Sequence, residues 1–304
     1  MTKISRIADS PPLPKGISRR TALPNPGLGE LWESIIIDQD VKKRLVSQAV
    51  LNFTVRGKVP RAVLPLHGII LLVGEPGTGK TSLAMGLAHR AAESLHGASF
   101  SLLEVEPHSL TSSAMGKTQR AVLDLFSVSI SEIANSGPTI VLLDEVETLV
   151  ADRSKLSLEA NPIDIHRATD AVLVQLDALA EHLPNLLFIA TSNFPQAIDS
   201  AFTSRCDLVV NIPLPNAAAC AHILKDTLIK LGQVFPKLAS LPSAPGFAKC
   251  ASECMGLDGR IIRKLVASAL ARDPHTAMDP NKLSIEDLLN AIRDAKSVRS
   301  IGGH

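Results

Sequence analysis

The sequence predicts an α/β protein: a parallel five-stranded sheet sandwiched by helices, followed by an all-helical C-terminal domain. Five short apolar runs, at 69–73, 100–105, 139–143, 186–191 and 207–212, alternate with helix-like segments at 82–96, 117–135, 163–182 and 197–203. Strands alternating with helices argue for a parallel sheet covered on both faces. Strand signals stop after Pro213-Leu214-Pro215, and 216–232, 246–255, 259–272 and 284–297 then read as helices. A glycine-rich turn, Gly74-Glu75-Pro76-Gly77-Thr78-Gly79-Lys80-Thr81, joins the first apolar run to the first of the helices between strands.

Residues 1–28 hold Pro11-Pro12, Pro14, Pro24 and Pro26 among scattered Ser, Lys and Arg with no apolar period, and are expected to be a flexible arm. From Leu31 the pattern changes. Asp38 is a natural N-cap for a helix through about residue 54, with Val41, Leu45, Ala49 and Val50 on one face. The expected division is therefore an arm over 1–28, a sheet domain over 29–215 and a helical domain over 216–304. In the last of these, Ile261, Ile262, Leu265, Val266, Ala269 and Leu270 keep helical spacing.

Composition excludes more than it assigns. The 304 residues carry 31 basic and 30 acidic side chains, and a net charge of +1 gives no general electrostatic reason to bind nucleic acid or an anionic membrane. No apolar run is long enough to cross a bilayer, and no signal peptide is read at the N-terminus. Of the four cysteines, Cys206, Cys220, Cys250 and Cys254, only the last two are close in sequence, and they lack the two further ligands of a structural zinc site. Buried free thiols in a reducing cytoplasm fit this usage.

The glycine-rich turn matches G-x-x-x-x-G-K-[ST] in its required strand-loop-helix setting. Glycines let backbone N–H groups converge on phosphate oxygens, and the following helix, opened by Ser82, adds its positive end. Lys80 is placed to reach the β and γ phosphates of ATP, and Thr81 to bind Mg²⁺. Ile140-Val141-Leu142-Leu143-Asp144-Glu145 is an apolar strand ending in two acids, which puts Asp144 on Mg²⁺ and Glu145 beside an attacking water; alone, it would also suit an acidic helix cap. Asn193, after the run ending at Thr191, can orient that water, although Ser192-Asn193 also suits an ordinary turn.

Two arginines complete the pattern. Arg205 precedes the fifth strand, on the side away from its own nucleotide, where it could reach the γ phosphate of a neighbouring subunit in a ring. The alternative is a surface arginine paired with Asp207 or Asp199. Arg260 opens a helix in Gly256-Leu257-Asp258-Gly259-Arg260, and a cation there opposes the helix dipole, which favours an anionic partner such as phosphate over a solvated side chain.

Together these features resemble the AAA+ ATPases, a branch of the P-loop NTPases. Within them, Leu31-Trp32-Glu33-Ser34, Leu143-Asp144-Glu145-Val146-Glu147-Thr148-Leu149, Ala171-Val172-Leu173-Val174-Gln175-Leu176-Asp177, Thr191-Ser192-Asn193, Ile198-Asp199-x-Ala201-Phe202-x-x-Arg205-x-Asp207 and Gly256-Leu257-x-Gly259-Arg260 look like the pachytene-checkpoint family, ATPases that remodel HORMA-domain proteins. The resemblance runs from about residue 31 to 275. It implies a cytoplasmic homo-hexamer that draws a HORMA-domain partner into its pore and partly unfolds it. Eukaryotic members carry an N-terminal recruitment domain where this chain has a short Pro-rich arm. That difference points to a compact bacterial member, regulating antiphage cyclic-oligonucleotide signalling with its own HORMA protein.

The family's Trp-Phe pore pair aligns with Ala114-Met115, so Ala114, Met115 and Gly116 are the expected substrate-facing loop without the aromatic grip. Met115 can still pack against varied side chains. A second candidate pore loop is 154–164. Two other readings use the same phosphate loop: a nucleic-acid loader or regulator, motivated by Arg19-Arg20 and Lys42-Lys43-Arg44, and a small-molecule phosphotransferase active as a monomer.

Overall fold

The computed structural model describes residues 13–107, 110, 117–152 and 162–302. Its centre is a six-stranded sheet in the order β1-β3-β4-β5-β2-β6. β2 (Ile69–Val73), β3 (Phe100–Val105), β4 (Thr139–Leu143), β5 (Leu186–Ser192) and β6 (Leu208–Asn211) are mutually parallel. The sixth strand, β1 (Ile17–Leu23), runs antiparallel along β3 at the sheet edge.

β1 corrects two expectations: the sheet has six strands, and 17–23 is not part of a flexible arm. The segment hides its strand character because only Ile17 and Leu23 are buried, while the Ser-Arg-Arg run between them faces outward. An edge strand needs one hydrogen-bonded neighbour and few apolar anchors, so its sequence stays polar. α1 (Pro26–Ser34) follows at once, with Asn25 accepting from the Leu28 N–H as its cap and Pro26 at its first position.

The parallel strands read as unbroken apolar runs because both faces are covered. Residues alternate between two cores. Ile69, Leu71 and Val73 join Leu103, Val141 and Phe188 on one face, packed by α4 (Lys117–Leu123), α5 (Ser131–Ser136) and α6 (Pro162–His182). Ile70 and Leu72 join Leu102, Ile140 and Ile189 on the other, under α1, α2 (Gln39–Val55) and α3 (Lys80–Ser94). α2 starts at its Asp38 cap, and buried Lys42 donates from Nζ to the Trp32 carbonyl at 2.7 Å, tying α2 to α1. The single helix expected over 117–135 is instead interrupted: residues 124–130 form a wider π-type turn between α4 and α5, where the Ser131 hydroxyl donates to the Phe126 carbonyl five residues back.

After α7 (Ser200–Thr203) and β6, the chain leaves the sheet and forms α8 (Ala217–Gly232), α9 (Phe247–Glu253), α10 (Gly259–Leu270), α11 (Pro274–Met278) and α12 (Ile285–Gly302). These helices share their own apolar cluster, built from Leu224, Leu228, Ile262, Val266, Leu288 and Ile292 with the free thiols Cys220, Cys250 and Cys254. Burial pushes the Cys254 thiol up to about 12. Among the described residues, no helix is long and apolar enough to cross a membrane.

Candidate active site

The carboxyl ends of β2, β4 and β5 converge on the start of α3, the position at which open parallel sheets bind ligands. Between β2 and α3 the loop turns on two glycines in the left-handed region, Gly77 at φ 78° and Gly79 at φ 90°. Neither position has room for a side chain. A Cβ on Gly79 would lie 2.5 Å from Ile35 Cδ1, and one on Gly77 would lie 2.3 Å from Asp258 Oδ1. The loop is thus gripped between the end of α1 and the cap of α10.

Lys80 is buried at the first position of α3, its Nζ donating to the Gly74 carbonyl at 2.9 Å and the Glu75 carbonyl at 2.8 Å. Burial lowers its pKa; the carboxylates of Glu147, Asp144 and Glu145 oppose that shift and Arg260 adds to it. Thr78 is turned inward, its hydroxyl donating to the Glu75 carbonyl at 2.9 Å.

Asp144 and Glu145 leave the end of β4 in different directions. The Thr81 hydroxyl donates to Asp144 at 2.9 Å to Oδ1 and 3.2 Å to Oδ2, and the Thr191 hydroxyl also donates to Oδ1. Glu145 has φ 52°, the only described non-glycine residue in the left-handed region, a conformation that a long side chain adopts at a cost. That twist is held from three sides: the Glu145 N–H donates to the Thr191 hydroxyl at 3.1 Å, and the Glu145 carbonyl accepts from the Thr148 N–H at 3.0 Å and hydroxyl at 2.9 Å. It delivers the Glu145 carboxylate to Asn193, whose Nδ2 donates to Oε1 at 3.2 Å. The Asn193 N–H donates in turn to Glu147 Oε1 at 3.1 Å.

These groups border a cavity of about 580 Å³. Its floor is the loop from Pro76 through Gly77, Gly79, Lys80, Thr81 and Ser82; Asp144, Glu145, Thr191 and Asn193 form one wall. Gly74, Glu75 and Thr78, expected at the phosphates, support the loop from behind and do not line the cavity. Leu31, Ser34 and Ile35 close an apolar side, and Asp226, Lys230, Arg260, Arg263 and Lys264 close the helical side. The sequence pointed to Arg260 alone among these cations. Arg263 and Lys264 stand three and four residues on, one turn along the same face of α10. Arg263 Nη2 donates to the Ser34 carbonyl at 3.3 Å, so the lid touches the sheet domain across the cavity mouth. Thr191 and Glu147 were also unassigned from sequence, though the Asp-Glu-Val-Glu spacing held the signal for Glu147.

The residues present fit a magnesium nucleotide. Thr81 and Asp144 converge hard oxygen donors of the kind Mg²⁺ prefers, and the buried ammonium of Lys80 follows directly on a loop that turns on left-handed glycines.

Arg205 lies elsewhere. It stands between α7 and β6, at the amino end of the strands, and is not part of the cavity. Its partner is neither Asp207 nor Asp199 but Asp177 on α6, with Nε to Oδ1 at 3.0 Å and Nη2 to Oδ2 at 2.7 Å. Asp207 instead accepts from the N–H groups of His67, Gly68 and Ile69, and Asp199 caps α7. Ala114, Met115 and Gly116 lie outside the described residues, as do 154–161 of the second candidate pore loop.

A glycine loop between β2 and α3, an Asp-Glu strand end beside it and a helical lid above both define an AAA-type ATPase unit. The model of the ATPase family associated with various cellular activities (AAA) matches residues 70–214. The chain is 69% identical over 291 residues to CD-NTase-associated protein 6 of Pseudomonas aeruginosa, covering 96% of each. It is 33% identical over 314 residues to a pachytene checkpoint protein 2 homolog of Arabidopsis thaliana, covering 91% of this chain and 66% of that protein. The structure of C. elegans PCH-2 superposes with a TM-score of 0.73 at 27% identity, covering 91% of this chain and 75% of that one. A structure of the E. coli MS115-1 HORMA:CdnC:Trip13 complex matches in fold, with a TM-score of 0.70 at 18% identity, over 91% of this chain and 94% of that one. The chain belongs to the pachytene-checkpoint family of AAA+ ATPases.

Proposed function

We propose that this protein is a cytoplasmic, hexameric ATPase that hydrolyses Mg²⁺-ATP at its subunit interfaces. It uses the cycle to engage a HORMA-domain protein through the central pore and partly unfold it. Its work disassembles a HORMA signalling complex in bacterial antiphage cyclic-oligonucleotide signalling. The observation that carries this reading is the Thr81–Asp144 and Asn193–Glu145 pairing at the ends of neighbouring strands, in a chain 69% identical to a CD-NTase-associated protein. The HORMA and CdnC components named in the complex that matches in fold supply the class of client.

Each residue has a separable task. Lys80 binds the β and γ phosphate oxygens, where an anion offsets the burial that lowers its pKa. Thr81 and Asp144 would hold Mg²⁺, which when bound neutralises charge developing on those oxygens. Glu145 takes a proton from the attacking water at Oε, and Asn193 Nδ2, 3.2 Å from Glu145 Oε1, orients that water. Arg260 reaches over the phosphates from the lid, and Arg205 completes the site of the adjoining subunit. Ala114, Met115 and Gly116 meet the threaded client.

Glu145→Gln tests the whole reading. It should bind ATP, fail to hydrolyse it, and retain the HORMA protein in a pull-down of purified components. Normal turnover by this variant would exclude Glu145 as the base, and a HORMA protein neither retained nor altered would remove the client assignment.

A further inference from the structure

We infer that Asp177 is the positioning residue that aims Arg205 into the neighbouring subunit's nucleotide site; the inference rests on the reading of Arg205 as a residue acting between subunits. Arg205 cannot serve its own site. β6 and β2 are parallel, Arg205 precedes β6, and the phosphate loop follows the far end of β2, so at least one strand length, roughly 15 Å, separates them.

The hydrogen bonds on Arg205 divide its guanidinium into a held edge and a presented one. Asp177 takes the side edge, with Nε to Oδ1 at 3.0 Å and Nη2 to Oδ2 at 2.7 Å, while Nη1 donates to the Ala201 carbonyl at 2.7 Å. A guanidinium carries five N–H donors, and these contacts use three. One N–H on each terminal nitrogen is left over among the described contacts, enough to give a phosphate two bonds.

The clamp stands on a fixed mount. Two residues beyond Arg205, the Asp207 carboxylate accepts from three successive backbone N–H groups, those of His67, Gly68 and Ile69, at 2.8, 2.7 and 3.1 Å. Asp177 itself is braced by Arg61 Nη2 at 3.4 Å, and the imidazole of His67 packs beside it with Nε2 at 3.5 Å. Near it in the chain, two apolar side chains are open: Val174, one turn before Asp177 on α6, is 62% exposed, and Val63, two residues after Arg61, is 73% exposed. Such side chains are suited to being covered by a second copy of this chain.

The experiment uses the full-length chain and steady-state ATPase kinetics. Asp177→Asn, which keeps the shape and breaks the fork, and Asp177→Ala should each lower kcat by about 10- to 100-fold while KM for ATP stays nearly constant, the scale expected for a misplaced reacting group. Mixing either variant with Lys80→Ala should restore turnover, because the Lys80→Ala neighbour donates a correctly held Arg205 to an intact phosphate loop. Wild-type kcat in Asp177→Asn would overturn the inference, and so would a loss that mixing fails to repair while mixtures of Arg205→Ala with Lys80→Ala recover. Failure of those last mixtures would remove the trans role of Arg205 and this inference with it.

Discussion

The hydroxyl of Thr191, near the end of β5, accepts the backbone N–H of Glu145, just past the neighbouring β4, at 3.1 Å, one of the three contacts that hold Glu145 in its left-handed turn. The same hydroxyl donates to Asp144, so one buried side chain sets the directions of both acids. Thr191→Val preserves the shape and strands the Glu145 N–H. It should cost about 0.5–1.5 kcal/mol of stability, the net value of a lost hydrogen bond at a partly buried site. ATP affinity should hold within a few fold while kcat drops, and Thr191→Ser should recover most of it. Denaturant midpoints and single-turnover rates check this; an unchanged kcat in the valine variant contradicts it.

Glu147 positions Asn193 through the 3.1 Å bond from the Asn193 N–H to Oε1, and its second oxygen is buried without a hydrogen-bond partner among the described residues. If Asn193 orients the attacking water as proposed, Glu147→Ala should slow hydrolysis on the order of tenfold by loosening its amide. Glu147→Gln, which can still accept from the Asn193 N–H, should lose less. Equal losses in the two variants would show that the carboxylate charge, not the hydrogen bond, matters.

The Arg263 to Ser34 bond at 3.3 Å links lid to sheet domain beside the cavity. A hydrogen bond of this kind contributes about 0.5–1.5 kcal/mol, so Arg263→Ala should weaken nucleotide binding about 2- to 12-fold, with a smaller effect on kcat. Titration with a fluorescent nucleotide reads the affinity directly. A selective loss of kcat instead would place Arg263 at the reacting phosphate.

Burial raises the thiols of Cys206 and Cys254 from their ordinary value of 9.0 to about 12. In the unfolded chain both ionise near pH 9, whereas the folded protein keeps them neutral, so the folded state binds more protons across this window. Their contribution is complete below pH 9 and is lost as pH rises toward 12. Urea midpoints should fall over that interval, less steeply in Cys206→Ala, and neither thiol should react with iodoacetamide in the native protein at pH 8. Rapid alkylation of Cys254 under native conditions would contradict the burial argument.

The phosphate loop and the five parallel strands were legible because their demands are local. A strand buried on both faces must be apolar throughout, and a phosphate loop must place its glycines and lysine at fixed spacing. β1 was not legible, since an edge strand anchored by Ile17 and Leu23 alone carries too little apolar signal. The π-type turn at 124–130 leaves a helix-like pattern and shows only in its backbone bonds. In the candidate site, Asp144, Glu145, Asn193 and Arg260 could be placed from motif spacing, but the Arg205 partner could not. Asp177 stands 28 residues before Arg205 on another element, and the nearer Asp199 and Asp207 were the natural choices until their carboxylates proved committed to backbone N–H groups.

Mixing Lys80→Ala subunits with Arg205→Ala subunits tests the account most directly, because under the proposed interface site each alone would lack one half of every site. Separately, both preparations should be nearly inactive, Arg205→Ala by about 10³- to 10⁵-fold if it behaves as other arginines donated in trans. Together they should regain ATP turnover in proportion to the sites that pair an intact Lys80 with a neighbour's intact Arg205. Mixtures no more active than their components, or an Arg205→Ala protein that hydrolyses ATP at the parent rate, would contradict a nucleotide site shared between subunits.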